Sequence, residues 1–357
     1  VSLADIDTPA LLLDLDVVER NIATMAKFFA DKNANLRPHF KTPKCPQVAR
    51  LQLLAGAIGI TCAKLGEAFE IAAAGIETSV LIANQIVGRT KTRRLIELAQ
   101  RLPEIIVAVD DIEQVLAIDA ELSGAGTRVG ALIEADIGMQ RCGTDTPEQS
   151  VELARAIRAT RVEYRGLMGY EGHAVLIADA AKRTELAGHA VTRLLEHRNA
   201  LVDAGFRPEI VSAGGTGTHD ISGVAEGVTE IQAGSYVFMD GTYTQVRSEF
   251  DPALSVLTTV LRRRGRTVIT DCGMKALSHE FGMPRGVDLP LRYVALSEEH
   301  GHVRIDEDAE VDLAAGDTIR ILPSHGDTTI NLHDVYHVMR GEQPEAIWPI
   351  TARGKFL

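Results

Sequence analysis

Apolar positions along residues 36–238 fall into short runs rich in β-branched residues, separated by longer stretches in which apolar residues recur every three to four positions. The short runs have the length and continuity of strands buried on both faces, and the longer ones have the period of amphipathic helices. The expected strands are residues 36–41, 59–63, 79–84, 105–110, 129–136, 164–170, 209–215 and 230–238. Helices are expected over 46–57, 65–76, 91–102, 148–159 and 180–206, with another over 17–33 ahead of the first strand. Strand and helix in this alternation predict an α/β fold of the TIM type, a closed (β/α)8 barrel, with a doubly wound open sheet as the alternative. After residue 247 the rhythm changes to strands divided by turns, as in "ALSVLTTVLRRRGRTVITDCG" and "AGDTIRILPSH". That pattern predicts a second, mostly antiparallel β domain. The expected boundaries are 12–246 for the barrel and 247–357 for the β domain, with residues 1–11 joining the latter.

The chain has 357 residues, 45% hydrophobic and 24% charged, and a formal net charge of −12. The acidic balance argues against nucleic acid as a partner, and the short basic clusters "RTKTRRL" (89–95) and "RRRGR" (262–266) read as solvated faces or turns. No apolar stretch approaches a membrane span. Cys45, Cys62, Cys142 and Cys272 show no close spacing, which fits reduced thiols. With no basic segment ahead of the first apolar run, no secretory leader is expected and a cytoplasmic location follows.

A barrel carries its chemistry at the carboxyl ends of its strands. The candidates there are His39 and Lys41, Asn84 and Gln85, Asp136 with Arg141, then Tyr170, Glu171 and His173. The last two loops, "SAGGTGTHD" (212–220) and "AGSYVFMDGTY" (233–243), are glycine-rich at the position where barrels bind phosphate. Gly217 and its neighbours let the backbone approach an anion, Thr216 and Thr218 offer hydroxyls, and Gly234 and Ser235 offer N–H groups. A phosphate site opposite a strand-end lysine predicts pyridoxal 5'-phosphate held by Lys41 as a Schiff base, with Lys44 meeting solvent.

The segments "RPHFKTPKC" (37–45), "DIGMQRCG" (136–143), "GYEGH" (169–173), "SAGGTGT" (212–218), "QAGSYVFMD" (232–240), "LSEEHG" (296–301) and "PSHGD" (323–327) together resemble the D-threonine aldolase, 3-hydroxy-D-aspartate aldolase and D-serine dehydratase family. That resemblance implies the alanine-racemase-like, fold type III architecture, bound pyridoxal phosphate, a divalent metal and a homodimer with sites at its interface. It assigns Lys41 to the covalent link, Arg141 to the cofactor's phenolic oxygen and Tyr170 to its pyridine nitrogen, with Gln85, Thr216, Gly234, Ser235 and Tyr243 as further contacts. The candidate base is His173 or a metal-bound hydroxide.

Outside the barrel, His325 and Asp327 stand two residues apart, and in an extended segment both side chains would point the same way. The resemblance makes them metal ligands. Dehydratases of the family resemble His-x-Cys here, whereas the carboxylate of Asp327 suits manganese or magnesium and favours an aldolase. The leading expectation is a carbon–carbon lyase cleaving D-3-hydroxy amino acids to glycine and an aldehyde. The alternatives are a dehydratase releasing a keto acid and ammonia, a racemase, and a non-catalytic pyridoxal-phosphate-binding protein.

Overall fold

The computed structural model describes residues 3–357, the side chain of residue 4 excepted. It divides into two compact units, one comprising residues up to 24 with 42–47 and 235–354, the other 25–41, 48–234 and 355–357. In chain order the first elements are β1 (Ala10–Asp14), α1 (Leu15–Phe29), β2 (Asn35–Leu36), α2 (Pro46–Leu54), β3 (Ile60–Cys62), α3 (Leu65–Ala73), β4 (Ser79–Gln85), α4 (Arg89–Ala99) and β5 (Glu104–Val109). They are followed by α5 (Ile112–Leu122), β6 (Gly130–Glu134), α6 (Pro147–Arg158), β7 (Glu163–Met168), α7 (Ala180–Asp203), β8 (Ile210–Ala213), α8 (His219–Ser222) and β9 (Glu230–Ile231).

Strands β2 to β9 form one parallel sheet in the order β2-β9-β8-β7-β6-β5-β4-β3. A parallel bridge between His39 and Thr61 joins its two ends and closes the barrel. β2 is shorter than its apolar run suggests because Pro38 has no N–H to donate. The segment is nonetheless bonded on both sides. Arg37 and His39 donate to Ile231 and Ala233 at 2.9 and 3.1 Å, and Phe40 donates to Thr61 at 2.7 Å. The expected strand over 230–238 is likewise only Glu230–Ile231, and Ser235–Val237 is a 3-10 turn.

Leu81, Ile106, Ala108, Leu132, Met168 and Ile210 form an apolar cluster within the sheet. Each such side chain contributes about 1.5–3 kcal/mol by leaving water, alanine less. Near the strand starts, the Arg37 Nε lies 3.0 Å from each carboxylate oxygen of Glu230, and the two side chains are only 4% and 2% exposed. The same guanidinium donates to Ser79 Oγ at 2.9 Å. Arg37, which stands in the cofactor-like motif, is therefore a clamp between β2 and β9. Arg37→Met should lower unfolding free energy by about 3–5 kcal/mol in urea titration, because it strands a buried Glu230 carboxylate.

The other unit holds β1 and the remaining strands: β10 (Leu254–Arg264), β11 (Thr267–Thr270), β12 (Arg285–Gly286), β13 (Leu291–Leu296), β14 (Gly301–Ile305), β15 (Thr318–Leu322), β16 (Val335–Arg340) and β17 (Gln343–Pro349). Their order is β11-β14-β13-β12-β15-β10-β1-β16-β17, and β10 also pairs with β11 across a bulge at Val260/Arg262. β1 runs antiparallel to β10 and parallel to β16, so the opening apolar run is a strand of this sheet. Arg262, Arg263 and Arg264 are exposed at the outer end of β10, as a solvated hairpin requires. Among the described residues no helix is long and apolar enough to cross a membrane.

Candidate active site

Lys41 follows the closing segment of the barrel and is half-buried, its backbone N–H donating to His39 Nδ1 at 3.3 Å. Lys44 does not meet solvent as expected. It is 8% exposed with φ of 47°, its backbone turned so that its carbonyl accepts the N–H of Ala352 at 3.1 Å. Gln85 at the end of β4 donates from its amide to Glu134 at the end of β6. Arg141 reaches the same Glu134 carboxylate at 3.9 Å and sets its guanidinium 5.9 Å from the centre of the Tyr170 ring. Three of the sequence candidates, Gln85, Arg141 and Tyr170, are thus linked through Glu134, which the sequence reading did not name. Burial pushes the Glu134 carboxyl upward, and the Gln85 amide and Arg141 only partly offset this.

The loop carrying Arg141 is held from below. Asp136 accepts the N–H groups of Gly138 and Gln140 at 2.9 and 3.1 Å, and Asp110 accepts that of Gly143 at 2.8 Å. Burial raises the Asp136 pKa, but these N–H groups outweigh it and hold the carboxyl below its ordinary value. Under this loop, Thr144 bonds Ser150 at 2.7 Å, and Ser150 bonds His197 Nδ1 at 2.8 Å. His197 is fully buried and its Nε2 has no partner, so burial pushes its pKa down to about 4. As pH falls from 6.5 towards 4, the unfolded chain binds a proton that folded His197 refuses, and stability is lost across that window. His197→Asn should flatten the fall of the urea midpoint between those pH values, measured relative to the variant's own midpoint at pH 7.5.

The glycine loop after β8 is shaped by packing. A Cβ on Gly217 would lie 1.8 Å from the Val175 carbonyl oxygen, and Gly214 has φ of +79° with Ile231 beside it. Glu171, fully buried, accepts the N–H of Gly214 at 3.1 Å, the Thr218 hydroxyl at 2.8 Å and the Ser222 hydroxyl. The Thr218 hydroxyl was expected on a phosphate. Here that hydroxyl donates to Glu171 and accepts the N–H of Gly215 at 3.3 Å. Thr216 is buried and its carbonyl accepts the Nδ1–H of His219 at 2.9 Å. Gly215 faces Tyr170, whose ring carbon lies 3.3 Å from where its Cβ would be. His173 is exposed, its ring edge against Gly138, 2.7 Å from where a Cβ would sit.

The residue types suit a phosphorylated aldehyde cofactor: an amine at Lys41, an aromatic ring at Tyr170, a cation at Arg141 and backbone N–H groups in a glycine loop whose side-chain space is taken by Ile231, Tyr170 and Val175. In the other unit, the N–H of Tyr243 donates to the buried Asp240 at 2.8 Å. Ser235 begins the 3-10 turn that follows Gly234.

His325 and Asp327 do not lie in an extended segment. Residues Gly326–Ile330 form a short helix, α9, with His325 as its N-cap and Asp327 in its first turn. Asp240 accepts the N–H of Gly326 at 2.9 Å, together with those of Thr242 and Tyr243, and burial raises its pKa. His325 Nδ1 pairs with Glu280, which leaves Nε2 as the ring nitrogen to face an ion. Asp327 is half-buried. Among the described residues no three His, Cys, Asp or Glu side chains converge on one point. His325 and Asp327 supply the nitrogen and oxygen donor types that a hard divalent ion takes alongside water and substrate oxygen.

The fold and site define a class, and comparison with known proteins defines a branch within it. Residues 13–241 match the family described as alanine racemase, N-terminal domain, and residues 253–339 match the putative serine dehydratase domain. A D-threonine aldolase of Arthrobacter sp is 37% identical over 360 residues, covering 99% of this chain and 94% of that protein. A 3-hydroxy-D-aspartate aldolase of Paracoccus denitrificans is 34% identical over 366 residues, covering 99% and 93%. The crystal structure of the D-threonine aldolase from Filomicrobium marinum superposes with a TM-score of 0.95 at 38% identity, over 100% of this chain and 98% of that one. A mutant D-threo-3-hydroxyaspartate dehydratase in the metal-free form gives 0.89 at 29% identity, over 98% of each chain. The chain belongs to the alanine-racemase-like family, in the branch that includes D-threonine aldolase and 3-hydroxy-D-aspartate aldolase.

Proposed function

We propose that this protein cleaves D-3-hydroxy amino acids between the α and β carbons, releasing glycine and an aldehyde, with pyridoxal phosphate and a divalent cation. The observation that carries this reading is a carboxylate, Asp327, two residues after His325 in a chain aligned end to end with aldolases. Hard oxygen ligation suits manganese or magnesium. The working unit is a homodimer with the site completed at its interface. Four thiols without a disulfide among the described residues suit the reducing cytoplasm.

Bound pyridoxal phosphate supplies an electron sink for the pair left on the α carbon. His325 and Asp327 would hold the divalent cation, which would supply Lewis acidity toward the β-hydroxyl. Lys41 would hold the cofactor as a Schiff base. Arg141, 3.9 Å from Glu134, would offer its cation to the cofactor's phenolic oxygen, and Tyr170 would lie near its pyridine nitrogen. Thr216, Gly217 and Gly234 would hold the phosphate, with Gln85, Ser235 and Tyr243 as further proposed contacts to the cofactor. His173 would accept the proton lost from the β-hydroxyl as the carbon–carbon bond breaks and return it to the α carbon, so that the aldehyde and glycine leave with protons balanced.

Incubation with D-threonine and with 3-hydroxy-D-aspartate, assayed for glycine and for ammonia, tests the reading. Glycine in stoichiometric yield with aldehyde is expected. Ammonia without glycine would replace the aldolase by a dehydratase, and the ratio of rates on the two substrates gives the preferred side chain.

A further inference from the structure

Glu280 is joined to His325 in a way that nothing in the proposed reaction requires by itself. Its Oε1 meets His325 Nδ1 and also accepts the Thr328 hydroxyl at 2.8 Å, while the Ser278 hydroxyl donates to its Oε2. The next residue, Phe281, stacks on the imidazole with ring centres 4.4 Å apart and planes 29° apart. His325 is thus fixed in two respects. The stacked ring restrains its tilt, and the carboxylate restrains its rotation and its tautomer.

A carboxylate on Nδ1 selects the tautomer in which that nitrogen carries the proton and Nε2 presents its lone pair. Metal-binding histidines are oriented in this manner by outer carboxylates, whose loss weakens metal affinity. We infer that Glu280 is a positioning residue for the cation, holding His325 with Nε2 directed at the ion. This rests on the metal reading above. The hydroxyls of Ser278 and Thr328 keep Glu280 in place, so the restraint is a connected set, not a single contact.

The probe is manganese(II) chloride, with the unbound ion counted by electron paramagnetic resonance in the holoenzyme. Glu280→Ala should weaken manganese binding by about 10–100-fold and leave the cofactor's absorption band unchanged. Glu280→Gln, which retains an acceptor oxygen, should recover part of the loss. Nitrogen-15 spectra of the labelled histidines, with His325 assigned through His325→Asn, should show protonated Nδ1 in the ion-free wild type and a mixture of tautomers in Glu280→Ala. Equal manganese affinity and an unchanged His325 tautomer in Glu280→Ala overturn the proposal alone. A wild type that binds no manganese while showing the expected tautomer overturns the metal reading and the role of Glu280 towards an ion. Glu280→Gln supplies the same readouts if the alanine variant does not fold.

Discussion

Lys41→Ala is expected to abolish the covalent capture of pyridoxal phosphate. Wild-type protein treated with borohydride in the presence of the cofactor should gain one pyridoxyl group, and peptide mapping should place it on Lys41. The variant should gain none. Its cleavage rate should fall by roughly 10^4-fold or more, the scale on which loss of a covalent catalyst lowers turnover. The neighbouring lysine serves as an internal control, because Lys44 lies buried with its own backbone turned at φ of 47°. Label found on Lys44 in the wild type would overturn the assignment of the site.

The second large effect is expected at the metal pair. Asp327→Ala should leave the cofactor band and borohydride capture intact while lowering cleavage by at least about 100-fold, since an inner ligand is worth more than the outer groups that orient it. Chelation of the wild type should reproduce the loss, and added manganese should restore the wild type but not the variant. Retained cleavage in Asp327→Ala without any added ion would remove the metal from the reaction. The two variants separate the functions. One loses cofactor attachment and the other retains it.

Much of this architecture was legible in the chain. Buried parallel strands read as unbroken apolar runs, and residues 105–110 and 129–136 correspond to β5 and β6 within two residues at each end. The opening run "TPALLLDL" was placeable in the β sheet because it precedes the first barrel helix. Helix α5 was not named, and β16 and β17, with their mixed polarity, were absent from the expected strands. The short α9 was invisible for a different reason. A five-residue helix lacks the length for a period, so His325 and Asp327 read as an extended pair.

Side-chain economy was harder to read than backbone. Thr218 and Gly217 have the residue types of an anion cradle, yet the sequence does not reveal that Glu171 takes the hydroxyl or that Val175 occupies the space at the glycine. Glu134 could have been suspected, since a glutamate in an apolar strand, "VGALIEAD", requires partners if it is to be buried. Nothing local identifies those partners as Gln85 and Arg141. They come from different strands, and only the closed ring brings them together.

The clamp between Arg37 and Glu230 has a consequence for how the site comes into being. The two residues are 193 positions apart and belong to the first and last staves of the ring. A nascent chain emerging from the ribosome can therefore pair one side of the segment before Lys41 with Thr61 and Ser79 early. Its other side has no partner until nearly the whole barrel has been synthesised, and the cost of closing so long a loop falls on a late step of folding. Until that seam is sealed, the amine that is to carry the cofactor has no fixed address.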